Sequence, residues 1–127
     1  MRFTFPKAEH LCLKNDVAAL FETGTAFVSF PYRVVVRKVE KDTVPAKILI
    51  ISQKKKLKKA VWRVHLRRQI REAYRLNKAP LFEFLSEQNY SVHIAFMSVD
   101  SKLTDQKFMQ EKMTLTIKKI INKLREV

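Results

Sequence analysis

Between Trp62 and Arg75 two kinds of residue interleave on a helical repeat. Trp62, Leu66, Ile70 and Ala73 recur every three or four positions, and Arg63, Arg67, Arg71 and Arg75 recur every fourth. At about 100° per residue, the spacing puts the apolar set on one face of a helix and the arginines, with Arg68, on the opposite side. The apolar face needs a core to pack on, and the charged face needs water or a partner. A chain carrying this segment is committed to a long amphipathic helix, here over Leu57 to Leu76, laid on other elements. By angle Val64 falls within the arginine face and is expected to be exposed. His65 projects between the two faces and is expected at the surface.

The charge around this helix narrows the partner. Lys54 to Lys78 holds eleven of the 26 basic side chains and one acid, Glu72. Guanidinium forks at one-turn intervals suit a ladder of phosphates better than a small ligand. The run Lys54-Lys55-Lys56-Leu57-Lys58-Lys59 leads straight into the stripe, so loop and helix together form one positive surface. Glu72 is placed to pair with Arg68 or Arg75. The net charge of +14 is more than solubility needs, and its self-repulsion would be relieved by a polyanion. Nucleic acid and an anionic membrane are the two candidates.

Other classes are excluded by what the chain lacks. At 127 residues it reads as a single domain, 1–127, and its 46% apolar content separates it from a disordered basic tail. Cys12 is the sole cysteine, and His10, His65 and His93 lie far apart, so neither an internal disulfide nor a structural metal site is expected. No stretch approaches the roughly 20 apolar residues of a membrane span, and no secretory leader is visible. The expectation is a soluble, cytoplasmic protein. The single glycine, Gly24, rules out a glycine-rich phosphate loop. Acids are sparse and scattered, and no nucleophile is paired with a base, so no catalytic residue is expected in the protein itself.

The remaining elements follow from pattern. Asn15 can cap a short helix with Val17, Leu20 and Phe21, ended by Gly24 at its C′ position. Phe27 to Val39 is rich in β-branched and aromatic residues and reads as strand, with an edge or bulge at Pro31. Ile48 to Ile51 is a short apolar run of the kind found in a buried central strand. Ala79-Pro80 breaks the basic helix, and Phe82 to Leu85 allows one further turn. Tyr90 to Phe96 alternates as a strand. Thr104 can cap a last helix in which Met113, Ile117, Ile120, Ile121 and Leu124 form a buried stripe. The predicted order is α-β-β-β-α-β-α, a mixed four-stranded sheet with three helices in an α/β (α+β) two-layer sandwich.

These residues also match a known pattern. The segment from Lys55 to Ala73, with Lys55-Lys56, Lys59-Ala60-Val61, Arg63, Arg67-Arg68 and Ile70-Arg71-Glu72-Ala73, resembles the central motif of the bacterial ribonuclease P protein subunit. Lys7 with His10-Leu11, and Phe21-Glu22-Thr23-Gly24, resemble that family's N-terminal and first-helix motifs. Val64 and His65 stand where the family usually has Asn and Arg.

The resemblance implies the protein component of a ribonucleoprotein endonuclease that removes the 5′ leader from precursor tRNA. The RNA subunit and its Mg2+ would perform the hydrolysis, with no cofactor held by the protein alone. It implies a monomer in a 1:1 complex with the catalytic RNA, and a left-handed strand–helix–strand crossover in place of the usual right-handed form. Carried onto this chain, Lys55, Lys56, Lys59, Arg63, Arg67, Arg68 and Arg71 would face the RNA subunit. Val17, Phe21 and Val35 would line a cleft for the leader. A non-enzymatic ribosomal or assembly protein would share the composition but not the Lys-Ala-Val and Arg-Glu-Ala motifs. A membrane binder would need for insertion the apolar helix face that the core requires.

Overall fold

The computed structural model describes residues 11, 14–29, 32–41, 44–51, 60–98 and 106–126. In chain order they form α1 (Lys14–Thr23), β1 (Thr25–Ser29), β2 (Tyr32–Glu40), β3 (Ala46–Ile51), α2 (Ala60–Asn77), α3 (Ala79–Ser86), β4 (Tyr90–Ser98) and α4 (Gln106–Glu126). The strands make one mixed sheet in the order β1-β2-β4-β3, with β3 parallel to β4 and the other pairs antiparallel. The α+β class is the one expected, with one helix more. Lys78 separates α2 from α3, and Pro80 stands at the start of α3, where its missing N–H costs nothing. The same proline that ends one helix therefore helps to begin the next.

Two further expectations are corrected. The apolar run at Ile48 to Ile51 lies on the edge strand β3, not in the centre of the sheet. Part of its outer edge is covered by the backbone of Leu11, whose N–H donates to the Ile48 carbonyl at 2.9 Å. That contact satisfies an edge acceptor that would otherwise need water. The central position belongs to β4, where Ser91 to Met97 are all buried. The reading of 27–39 as one strand also gives way: β1 and β2 pair from Thr25↔Val36 to Ser29↔Tyr32, leaving only Phe30 and Pro31, outside the described residues, between them.

Side chains alternate across the sheet, and each face has its own core. Val34, Val36, Ile48, Ile94 and Phe96 pack with the inner sides of α2, α3 and α4. In α4, Met113, Ile117, Ile120 and Leu124 are buried as the stripe predicts, joined by Met109. Two polar contacts fix α4 on the sheet: the Tyr32 hydroxyl donates to the Met109 carbonyl at 2.8 Å, and Thr116 Oγ1 and Ser29 Oγ bond at 2.9 Å. The opposite face carries a smaller core of Leu11, Leu20, Val35, Ala95 and Met97, flanked by Val17, Leu49 and Ile51. Here α1 packs against β2 and β4.

The junction of α1 with β1 is tight. Asn15 lies inside α1, one residue after its start, and is not its cap. At the other end the Gly24 N–H donates to the Leu20 carbonyl at 2.9 Å, closing the last turn. A Cβ on Gly24 would stand 2.3 Å from that carbonyl oxygen and 2.8 Å from Val35 Cγ1. Glycine is required here because backbone and strand approach so closely.

Candidate nucleic-acid interface

Helix α2 buries Leu66, Gln69, Ile70, Ala73 and Tyr74. Gln69 and Tyr74 widen the buried arc beyond the apolar set read from the sequence. One side of the arc meets α4: Gln106 Nε2 donates to the Gln69 carbonyl at 3.2 Å, and Thr114 Oγ1 donates to Asn77 Oδ1 at 2.8 Å. The two helices therefore run parallel, with Gln69 beside Gln106 and Asn77 beside Thr114. The other side of the arc ends at Tyr74, whose ring lies 5.8 Å from that of Phe96 in β4.

By helical angle Tyr74 falls between Arg63 and Arg67. The arginine stripe accordingly begins at the rim of the buried arc and not opposite it. Four residues per step on a helix of 3.6 per turn drift by about 40°, so the row moves outward along the helix. Arg63 and Arg67 are half-buried, and Arg71 and the neighbouring Arg68 are exposed. This places the row on the margin of α2 away from α4 and toward the β3 edge. Lys55, Lys56 and Lys59 lie outside the described residues.

Arg75 ends the row differently. Its Nε donates to Glu72 Oε2 at 3.1 Å, and a second guanidinium nitrogen bonds Glu72 Oε1, giving a two-pronged pair. The Arg75 hydrogen bonds hold the Glu72 carboxyl below its ordinary range. Of the two arginines in reach, Arg75 is thus the one that takes Glu72. The charge of Arg75 is thereby offset, while from Ala60 to Arg71 no acid is present.

Two residues depart from their predicted environments. Val64 is half-buried instead of open. Trp62 has the angle of a core residue yet is 40% exposed. Trp62 stands seven residues before Gln69, and Gln69 is already level with the first residue of α4. The described part of α4 does not reach the height of Trp62. His65 is exposed, as expected.

The three residues assigned to a cleft come together on the other face of the sheet. Val35 is buried at 5% exposure beneath α1, Val17 is half-buried beside it, and Phe21 stands 44% exposed on the flank of α1. Val35 forms floor, and Phe21 is the part of the group open to a ligand. Strand register adds residues that one-dimensional reading missed. Arg37, His93 and Lys47 are cross-strand neighbours on β2, β4 and β3, on the Val35 face, and Arg33 lies one step along from Val35. Arg33 is exposed, Arg37 and Lys47 are half-buried, and His93 is buried. The alternation Arg33, Val35, Arg37 was visible in the sequence, but the partners from β3 and β4 needed the pairing.

Among the described residues no group of three His, Cys, Asp or Glu is placed to hold a metal ion. Nor is any described helix long and apolar enough to cross a membrane.

This arrangement has close counterparts. The sequence model of the family described as Ribonuclease P matches residues 5–121. The chain belongs to the ribonuclease P protein family. Ribonuclease P protein components from two strains of Porphyromonas gingivalis are 36% and 35% identical to it over 119 residues, covering 93% of this chain and 87% of each relative. In fold, this ribonuclease P family member resembles the RNase P protein from Thermotoga maritima, with a TM-score of 0.68, 24% identity, and 87% and 96% of the two chains covered. The Staphylococcus aureus RNase P protein superposes with a TM-score of 0.63 at 19% identity, covering 91% and 99%.

Proposed function

We propose that this protein is the subunit of a ribonucleoprotein endonuclease that removes the 5′ leader from precursor tRNA. In this reading the basic margin of α2, formed by Arg63, Arg67, Arg68 and Arg71, docks on the RNA subunit, and the basic run with Lys55, Lys56 and Lys59 extends the contact. The leader enters between α1 and the sheet, past Phe21 and Val17 over the Val35 floor. Arg33 and Arg37, on the same face, are suited to its phosphates. The protein acts in the cytoplasm as one copy per RNA.

The RNA and its magnesium ions carry out the hydrolysis. The contribution of the protein in this reading is electrostatic. A polycation bound beside RNA lowers the cost of packing phosphates together, which otherwise falls to divalent ions.

The observation that carries the proposal is the arginine row from Arg63 to Arg71, a stretch of α2 with no acid in its sequence, within a chain of this family. Reconstitution tests it. Protein, a bacterial ribonuclease P RNA and precursor tRNA are mixed at low magnesium and 5′ cleavage is followed. Cleavage is expected with protein plus RNA, at a magnesium concentration where RNA alone is slow, and not with protein alone. An RNA-binding ribosomal or assembly protein would bind without lowering the magnesium requirement. Cleavage by RNA-free, nuclease-free protein at a comparable rate would overturn the assignment of chemistry to the RNA.

A further inference from the structure

Strand β2 outruns its neighbour. β1 pairs with β2 only as far as Thr25↔Val36, whereas β2 continues to Glu40, held on its other side by β4 from Arg37↔His93 to Glu40↔Tyr90. The step leaves a notch at the β1 side of the sheet. A hollow of about 220 Å³ lies there, lined by Thr23 and Thr25 from the α1–β1 junction, Arg37 and Lys38 from β2, and Lys123 from the last turn of α4. Alternation along β2 puts Arg37 on the Val35 face, with α1, and Lys38 on the Val36 face, with α4. The hollow therefore spans the sheet edge from one face to the other. None of the described residues that line it is acidic. Cations in the last turn of a helix complement its carbonyl end. That accounts for Lys123 but not for Arg37 and Lys38, which a different element brings to the same place.

We infer that this notch is a phosphate subsite, taking a phosphodiester of the leader where that strand leaves the cleft. The inference rests on the reading of the α1 face as the leader path. Arg33, Val35 and Arg37 run along one face of β2, so Arg37 belongs both to that path and to the hollow. A strand that follows the Val35 floor past Arg37 reaches the notch next. A guanidinium, two ammonium groups and the Thr25 hydroxyl supply donors from separate elements, as a tetrahedral oxyanion requires. Lys38 Nζ also lies 4.5 Å from the centre of the Tyr90 ring. An ammonium has three donors, and contact with a neutral ring does not cancel its charge. The adjoining hollow, about 530 Å³, shares Lys38 and Leu124 but is lined by Glu87 as well, so the phosphate is assigned to the smaller one. The arginine row of α2 lies toward β3, at the opposite edge of the sheet. The two basic regions accordingly suit different segments of RNA, and the notch falls to the leader.

Leader length provides the test. Full-length protein is reconstituted with a bacterial ribonuclease P RNA, and affinities are measured for mature tRNA and for precursor tRNAs whose leaders lengthen by one nucleotide at a time. Wild type is compared with the double variant Lys38→Gln, Lys123→Gln, and thermal melting by circular dichroism checks that the fold is kept. The two proteins should bind mature tRNA and short-leader precursors equally. Once the leader is long enough to reach the notch, the variant should lose about 2- to 25-fold, which is two ion pairs of ~0.2–1 kcal/mol each at tenfold per 1.4 kcal/mol. Its salt dependence should become shallower for those long leaders alone. If the double variant melts early, Lys123→Gln by itself carries the test, at about 1.5- to 5-fold. Equal affinity of wild type and variant at every leader length would overturn the subsite. An equal loss on mature tRNA would place the phosphate on the RNA subunit or the tRNA body and overturn the assignment to the leader. A wild-type complex with no preference for precursor over mature tRNA would instead overturn the leader path on which the inference rests.

Discussion

Gly24→Ala is the sharpest probe of how α1 is seated. The added methyl would lie 2.3 Å from the Leu20 carbonyl oxygen, 2.8 Å from Val35 Cγ1 and 3.1 Å from the Val36 carbonyl oxygen. Carbon–oxygen contacts normally settle at about 3.3–3.6 Å, so about 1 Å must be found against the Leu20 carbonyl. That oxygen is backbone and already accepts the Gly24 N–H; it moves only if the last turn of α1 lifts from β2. Overpacking of this kind costs about 1–3 kcal/mol. Alanine also stiffens the unfolded chain, returning about 0.4–1 kcal/mol. The net expectation is a loss of about 1–2 kcal/mol, or roughly 3–10 °C in melting temperature for a domain of this size. Far-UV circular dichroism during heating, and urea titration, measure it. A Gly24→Ala protein that melts at or above the wild-type temperature would refute the close-approach argument.

Replacing Arg67 and Arg68 with alanine should weaken binding to ribonuclease P RNA and flatten its dependence on salt, because fewer counterions are released; a steep salt slope retained in the double variant would count against the α2 margin. Phe21→Ala should change stability little, since the ring is 44% exposed, and should reduce the preference of the reconstituted complex for precursor over mature tRNA. An unchanged preference would remove Phe21 from the leader path. Burial raises the Tyr32 hydroxyl pKa above its ordinary value near 10. Its neutral form therefore adds stability that is fully present below about pH 10 and declines as pH climbs further. Tyr32→Phe, which loses the bond to the Met109 carbonyl, should cost about 0.5–1.5 kcal/mol at neutral pH. It should also flatten the alkaline decline seen in urea titrations.

The amphipathic helices were legible because period and charge are local. Leu66, Ile70 and Ala73, and the stripe in α4, lie where 3.6-residue spacing puts them. What failed depended on partners. The run Ile48 to Ile51 looks central by hydrophobicity, but an edge strand closed by Leu11 can be just as apolar. Trp62 has the angle of a core residue, and its 40% exposure is not something that angle can tell. The arginine row was placed opposite the core because Tyr74 was not counted within it. Gly24 was recognised as a helix end, whereas the atoms that demand it, on Val35 and Leu20, come from folding. Of the proposed cleft, Val17, Phe21 and Val35 were reachable through family resemblance, but Arg37, His93 and Lys47 become a row only through strand pairing.

The fourfold spacing of the arginines sets a direction as well as a charge. Rows of residues four apart are inclined by about 26° to the helix axis, and each step climbs about 6 Å. A stiff polymer engaging Arg63, Arg67 and Arg71 must therefore cross α2 on a bias, like a strap over a shoulder. To reach Arg75 as well it would have to keep turning, and there it meets a guanidinium already held by Glu72. The rail thus has a slant and an end. Arginines spaced three apart would tilt it about 45° the opposite way, so a single integer in the sequence fixes the heading at which a long anion can lie across this protein.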